Sequence, residues 1–587
     1  MRTNADRMAQ KARWRSDVSL LYLFVIPLIL PLPIESKTAQ QFLAEAVKPR
    51  FNPGHKLPPL THWGWPMPFD IQVPLCEDWG YALEFGAANW STVNNLDNTN
   101  SVESKICALT ASAPHRYPLF VYLHRPFLES AFVEALPEAT WCHDAGGGLI
   151  TMKTYSPEMP DSNYSQAGSE SATSLTRILQ VCPISIILNG GEYGLDVYGW
   201  AGSTWIHDPI VVNAKGGQPW FDYLSARKTH LEQFVTDAVR AAVPNRDLYL
   251  FYPTEGPGER NLHEFWWWWG WDYAQFRTVS DLPSNSRYYG QRGTWTSDID
   301  MLSQVLNSTA QEIAAGDPLS YNWVCGGLYT NSVSDDAHYM GFLKCWYTAG
   351  MIGGIAGDFN YPPGGYGAEL GTNMPCWLSN MVVLGHTHAL FSYLEEYLRK
   401  GYLLPGPNRH RWSTDLPAYE FPAGDPQARV LVRKHRNRTE WIITAWAAGG
   451  SDRMVTAMVP ELGAVNVLAR SCGSVYFALP GPTLTLLDPD GMLPSQQLSA
   501  DTFKPPQSPD PPDHPVASMF AFKQISFKNG TFSGFIEKLG GSISLKISSN
   551  LLHWQTVTNF SGGAGTIFFQ DVIGTNADRR FYRSSSP

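Results

Sequence analysis

Apolar positions in this chain fall into short runs separated by longer stretches of mixed pattern. Residues 183–188 read PISIIL. Such a run fits a strand buried on both faces, as in a parallel sheet. With its polar tail it predicts a strand over 183–190. Seven more segments have strand character: 59–65, 80–86, 118–125, 247–253, 286–290, 320–326 and 352–360. Helical periodicity fills several of the gaps. Over 223–242, Leu224, Leu231, Phe234, Val235, Ala238 and Val239 share one face, which predicts an amphipathic helix. A second helix is predicted over 299–315 and a long one over 377–400. Arg399 and Lys400 suit the negative end of that last helix, and Gly401 follows as its C-cap. Eight strands alternating with helices predict the α/β class, a (β/α)8 TIM-like barrel over 40–405.

Beyond Pro405 the pattern changes. Segments 429–434, 440–446 and 454–459 are short, rich in Val, Ile and Trp, and separated by turn residues. They read as antiparallel strands of a β-sandwich over 406–498. A proline-rich linker covers 499–517, with six prolines between Lys504 and Pro515 counted inclusively. A small C-terminal β-module rich in Ser, Gly and Phe fills 518–587. At the other end, Arg2, Arg7, Lys11, Arg13 and Arg15 precede an apolar run over 18–34 that contains Pro27, Pro31 and Pro33. Residues 1–39 therefore read as a signal peptide or an N-terminal anchor, and the product as secreted or periplasmic. Ala39 is the expected last residue of a signal peptide, although Lys37 stands where a small residue is preferred. As a membrane span the run is short.

Composition narrows the class. The chain has 587 residues, too many for one core, with 44% hydrophobic and 16% charged residues. A net charge of −10 without a basic stripe argues against nucleic acid as a partner. Aromatic residues make up 13%, including 22 tryptophans. Most belong in cores, but indole and phenol faces also stack on sugar rings. The eight cysteines form no CxxC pair, and Cys182, Cys325 and Cys345 lie in apolar stretches and read as buried thiols. One or two disulfides remain compatible with this spacing. His386 and His388 stand two apart in a predicted helix, so they point apart and do not make a metal site. Without a phosphate-binding or dinucleotide fingerprint, no cofactor is expected.

Candidate chemistry gathers at the strand ends. Asn189, Gly190, Gly191 and Glu192 follow the 183–188 run, and a carboxylate just past a buried parallel strand lies where barrel enzymes place their chemistry. Glu192 could instead cap the next helix. On the second strand Gly80, Ala82, Glu84 and Gly86 alternate with bulky residues, and on the eighth Gly354, Ala356, Asp358 and Asn360 do so. The small faces should line the interior, carrying Glu84 and Asp358 inward. Glu84 could equally form a structural ion pair with Arg125 or His124. Glu255 lies just past the fifth strand. The run Trp266–Trp269 with Trp271 offers a wall for sugar subsites, or a packed hydrophobic lid. Candidate substrate contacts are Glu84, His62, His124, Arg125, Asn189, Trp200, Trp267, Trp269, Asn322 and Tyr361.

A barrel with an acid after its fourth strand, followed by a β-sandwich, resembles the retaining glycoside hydrolases of the large (β/α)8 clan. The resemblance spans about residues 58–495. In that clan the acid/base Glu directly follows Asn, whereas two glycines intervene here. The usual nucleophile position, a Glu on strand seven, has no clear counterpart. The resemblance implies hydrolysis of O-glycosidic bonds in a polysaccharide or oligosaccharide by two carboxylates, with Glu192 as acid/base and Asp358 or Glu255 as its partner. A non-catalytic glycan-binding barrel is the rival reading. The tail segments 544–554 and 579–583 resemble a small C-terminal module of proteins secreted by environmental bacteria, which implies export.

Overall fold

The computed structural model describes residues 39–49, 57–63, 67–88, 90–150, 153–189, 205–243, 249–251, 273–282, 286–288, 298–316, 319–325, 327–328, 331–332, 336–357, 376–410, 415–449, 451–481, 483–487, 520–528, 531–538, 543–548, 555–560, 565–572 and 581–585. The N-terminal apolar run and the proline-rich linker fall outside the described residues.

All eight predicted barrel strands are present. They are β1 (Thr61–Trp63), β2 (Leu83–Ala87), β3 (Leu119–Tyr122), β4 (Ile186–Leu188), β5 (Tyr249–Phe251), β6 (Ser286–Tyr288), β7 (Ser320–Cys325) and β8 (Met351–Gly357). Helices follow in turn: α1 (Phe69–Trp79), α2 (Val102–Ser112), α3 (Asp161–Leu179), α4 (Trp220–Ala242), α5 (Asp298–Ala314), α6 (Asp336–Ala349) and α7 (Cys376–Tyr393). After β5 the described helix is the single turn Tyr273–Phe276. Two parallel sheets run β2-β3-β4-β5 and β1-β8-β7-β6. A parallel bridge between Leu60 and Tyr81 joins them at β1 and β2. The strands therefore follow one another in the order β5-β4-β3-β2-β1-β8-β7-β6. Among the described residues no ladder joins β5 to β6.

Alternation along these strands divides two apolar clusters. Ala82, Phe120, Ile186 and Leu188 belong to the cluster that holds Tyr321. Leu83, Leu119, Val121 and Ile187 belong to another, which contains the buried faces of α3 and α4. A side-chain period of two sends neighbours to opposite faces, so every second residue faces inward and the rest meet the helices. On α4 the predicted apolar stripe is buried at Leu224, Leu231, Val235 and Val239. Gly385 on α7 meets Trp79 on α1, where a Cβ would lie 2.6 Å from that of the tryptophan.

The long helix expected over 377–400 is two helices. α7 ends at Tyr393, Leu394 (φ −98°, ψ 12°) turns the chain, and Glu395–Lys400 restarts it. Gly401 does not cap it in the left-handed conformation. Its φ is −98° and ψ 176°, extended, and it opens the next sheet opposite His435. Glycine is required there because a Cβ would lie 2.1 Å from the Tyr397 carbonyl oxygen.

The sandwich sheet thus begins at Gly401, within the range assigned from sequence to the barrel. Its strands are β9 (Gly401–Leu403), β10 (Ala428–His435), β11 (Trp441–Ala447), β12 (Arg453–Val459), β13 (Gly463–Ala469), β14 (Ser474–Leu479) and β15 (Thr483–Leu486). One antiparallel sheet has the order β9-β10-β11-β14-β15, and β12 pairs with β13. Every residue of β11 is buried. Trp441, Ile443, Ala445 and Ala447 face the sandwich core. Ile442 and Trp446 join the barrel cluster instead, and the Thr444 hydroxyl lies 2.5 Å from that of Thr348 at the end of α6. On β10 the buried Arg433 donates to the carbonyls of Tyr397 (2.8 Å), Leu398 (2.8 Å) and Thr348 (3.3 Å). One guanidinium therefore satisfies terminal carbonyls of two helices. Burial lowers its pKa to about 9.

Residues 520–585 form six strands in two antiparallel three-stranded sheets. The described C-terminal residues are therefore antiparallel β-structure.

Candidate active site

Levels across the parallel strands can be read from their register. Glu84, Phe120, Ile186 and Tyr249 stand side by side across β2 to β5. Ala87, Tyr122, Leu188 and Phe251 form the last paired level before the strands end. Glu84 lies one level below the rim, two residues on from Ala82 and on the same inward face. The β2–β3 ladder shifts register between Glu84 and Ala87. Such bulges re-aim side chains next to functional sites. The Glu84 amide bonds the Gln72 side chain on α1 (2.8 Å).

Glu84 meets neither of its expected partners. A nearby ring is that of His62 on β1, whose Nδ1 lies 3.5 Å from Glu84 Oε2, with the two residues only 3% and 5% exposed. The Tyr122 hydroxyl donates to the His62 carbonyl (2.7 Å). A buried carboxylate and a buried imidazole thus stand close together where β1 and β2 adjoin.

Arg125 and His124 are engaged elsewhere. The His124 ring bonds Glu129 Oε1 at 2.8 Å. Arg125 pairs with Glu232 of α4, Nη2 to Oε1 at 3.1 Å and Nη1 to Oε2 at 3.3 Å. It also donates to Asn189 Oδ1, while Asn189 Nδ2 lies 3.4 Å from Glu232 Oε2. Asn189 and Glu232 are 0% exposed. This group fills the layer between the β3 and β4 ends and α4. The expected sugar contacts Arg125 and Asn189 are therefore committed to each other and to Glu232. A bidentate fork is how a guanidinium best satisfies a buried carboxylate. Glu232 was missed from sequence, although Lys228 and Glu232 interrupt the apolar stripe of α4 and both are buried.

Asn322 is also held by the fold. Its amide donates to Ser320 Oγ (2.9 Å) and the Ile352 carbonyl (3.1 Å), both near the N-terminal ends of their strands. It shares a face with Val324, which lies beside Gly353 and the α7 residue Leu384. These bonds tie Asn322 to the lower part of β7 and β8.

The small inner face predicted for β8 is borne out at Gly354. A Cβ there would fall 1.9 Å from the Tyr321 ring, and the Tyr321 hydroxyl donates to the carbonyls of Gly354 and Pro59, both at 2.8 Å. Tyr321 fills the interior because β8 leaves the space. β7 reads SYNWVC and carries no carboxylate.

The two histidines of α7 take separate partners. His386 Nε2 lies 2.7 Å from the Val47 carbonyl, and His388 Nδ1 lies 3.0 Å from the Tyr347 hydroxyl. Burial lowers their pKa values to about 4 and about 3. Glu192, Asp358, Glu255, Trp200, Trp267, Trp269 and Tyr361 lie outside the described residues.

No protein-family description and no curated protein matches this sequence. Among solved structures the chain is similar to the exo-carrageenase GH42 of Bacteroides ovatus, at 10% identity, 75% of this chain, 85% of that one and a TM-score of 0.43. A cold-adapted β-galactosidase of Rahnella sp. R3 matches at 9% identity, 90% of this chain, all of that one (100%) and a TM-score of 0.38. A GH30 endoxylanase of Clostridium papyrosolvens matches at 10% identity, 74% of this chain, 97% of that one and a TM-score of 0.34. These structural neighbours are glycoside hydrolases.

Proposed function

We propose that the chain is a secreted glycoside hydrolase, with a closed (β/α)8 barrel that cleaves O-glycosidic bonds of a polysaccharide or oligosaccharide using two carboxylates. The observation that carries this reading is the order of the strands in two four-stranded parallel sheets bridged at Leu60 and Tyr81, with Glu84 buried on β2. In such a barrel β4 and β8 stand opposite one another, and residues just past their C-terminal ends converge across the mouth. In sequence, Glu192 follows the end of β4 by four positions and Asp358 directly follows β8. Glu192 is the general acid/base and Asp358 its partner, with Glu255 in reserve. β7 has no carboxylate to offer, so the partner must come from another strand. Glu84 and His62 form the floor beneath the pair and set the charge around it. Trp200, Trp267, Trp269 and Tyr361 supply stacking faces for sugar rings.

The chemistry follows from the roles. The protonated carboxyl gives its proton to the leaving glycosidic oxygen. Its partner attacks the anomeric carbon, or activates a water that does so. A separation of about 5–5.5 Å between the carboxyls gives retention, and about 6.5–9.5 Å gives inversion. A reducing-sugar screen across neutral and anionic polysaccharides and aryl glycosides tests the reading. Release of sugar by the wild type but not by Glu192→Gln is the expected result. Binding on a glycan array with no release from any substrate would favour the non-catalytic barrel.

A further inference from the structure

We propose that Cys107 and Cys182 are joined by a disulfide in the mature protein. Cys107 lies on the buried face of α2, between Ile106 and Thr110. Cys182 stands in the turn that closes α3, its amide bonded to the Ile178 carbonyl at 3.1 Å. The residues are 75 positions apart, yet their sulfurs lie 2.6 Å from each other. Only 4% of Cys107 and 3% of Cys182 is exposed.

That approach is too close for two unbonded sulfurs, and a disulfide needs about 2.0 Å. A shared zinc is excluded by the same geometry. Two thiolates each about 2.3 Å from a tetrahedral metal stand well over 3 Å apart. Among the described residues, other buried cysteines have different neighbours. Cys76 and Cys142 instead direct their sulfurs at the carbonyls of Arg116 (3.4 Å) and Tyr155 (3.5 Å).

The bond requires an oxidant, and a small-molecule disulfide or the disulfide of an oxidoreductase serves. One cysteine thiolate displaces a thiolate from that disulfide and forms a mixed disulfide. The second cysteine then attacks its partner's sulfur and releases the other thiol. The two cysteines lose two hydrogens in all, and the oxidant becomes two thiols. Both sulfurs are buried in the native chain, so exchange takes place before α2 settles on the barrel. The link pins the helix after β2 to the chain entering β4, across β3. It constrains the layer from which His124 and Arg125 extend, and it does not depend on the proposed hydrolysis.

The test uses the full chain, unfolded and refolded in excess oxidised glutathione. The product is blocked with iodoacetamide without reductant, digested and mapped by mass spectrometry. A peptide pair linked through Cys107 and Cys182 is expected, together with a Tm that falls by several degrees on adding a phosphine reductant. In Cys107→Ser the pair disappears, Cys182 becomes alkylated and the Tm no longer responds to reductant. Recovery of both wild-type cysteines in alkylated form overturns the proposal, as does pairing of either with another cysteine. If refolding fails, the same map of protein purified from a bacterial periplasm reads the same two outcomes without any variant.

Discussion

Gly341 on α6 lies against the indole of Trp446 on β11, so closely that a Cβ built on the glycine would stand 2.2 Å from the ring. The same indole donates to the Ser471 carbonyl at 2.9 Å, so it is held from the sandwich side and has little room to retreat. Gly341→Ala should therefore lower stability by about 1–3 kcal/mol, the usual cost of forcing volume into a packed joint. Scanning calorimetry should show a lower Tm for the part containing barrel and sandwich. An unchanged Tm would mean that the joint yields freely.

Arg433 and Thr444 predict how the chain responds to truncation. Stopping after residue 498 should leave a folded protein, since the strands through Leu486 are all retained. Stopping at Pro405 removes Arg433 from the carbonyls of Tyr397, Leu398 and Thr348 and uncovers the α6 face. That product should be insoluble or exchange its α6 amides rapidly. Hydrogen exchange on the two truncations separates them, and a soluble, protected product ending at 405 contradicts the expectation.

The Arg125–Glu232 pair should be costly to break and cheaper to replace. Glu232→Gln or Arg125→Met alone strands a buried charge or part of one, and about 3–5 kcal/mol should be lost. The double variant Arg125→Met/Glu232→Leu should recover much of that loss. Urea midpoints of the three variants measure the coupling, and simple additivity would show that the two side chains do not act as a pair.

Acid should destabilise the fold through α7. His386 and His388 have pKa values near 4 and 3 when folded, against about 6.5 when unfolded. Below about 6.5 the unfolded chain binds protons that the native chain refuses. Their contribution is complete above pH 6.5 and is lost as pH falls toward 4. Each ring contributes a slope of up to about 1.4 kcal/mol per pH unit in that window. His388→Gln should reduce the slope by about one proton, read from unfolding free energies between pH 4 and 7. An unaltered slope would mean that His388 is already neutral in the unfolded chain at these pH values.

For catalysis, Glu192→Gln should lower kcat by several orders of magnitude while leaving the Tm unchanged. Asp358→Asn, Glu255→Gln and Glu84→Gln, each assayed with and without azide, then rank the second carboxylate. The anomer of any glycosyl azide formed distinguishes nucleophile from acid/base. Near wild-type turnover by Glu192→Gln would remove it from the mechanism.

The strand over 183–188 was legible because strands buried on both faces concentrate Ile, Leu and Val in short runs. The inward face of β8 was legible for a related reason. Gly354 is small because something large must fit opposite it, although nothing local identified that group as Tyr321. Partner choice was not legible. Glu232 lies 107 positions from Arg125, and helical period places it on α4 without saying what crosses to meet it. The turn at Leu394 and the extended Gly401 escaped because each answers to tertiary contacts rather than to local preference.

The two-sided burial of β11 has a consequence for how the chain is made. α6 is synthesised well before the strand that covers it, and Trp446 follows Gly341 by about 100 residues. At about 5–20 residues per second, the apolar flank of α6 waits roughly 5–20 s for its cover to emerge from the ribosome. During that interval the nascent barrel exposes a sticky surface, which is where a holding chaperone would bind and where a stalled translation product would aggregate.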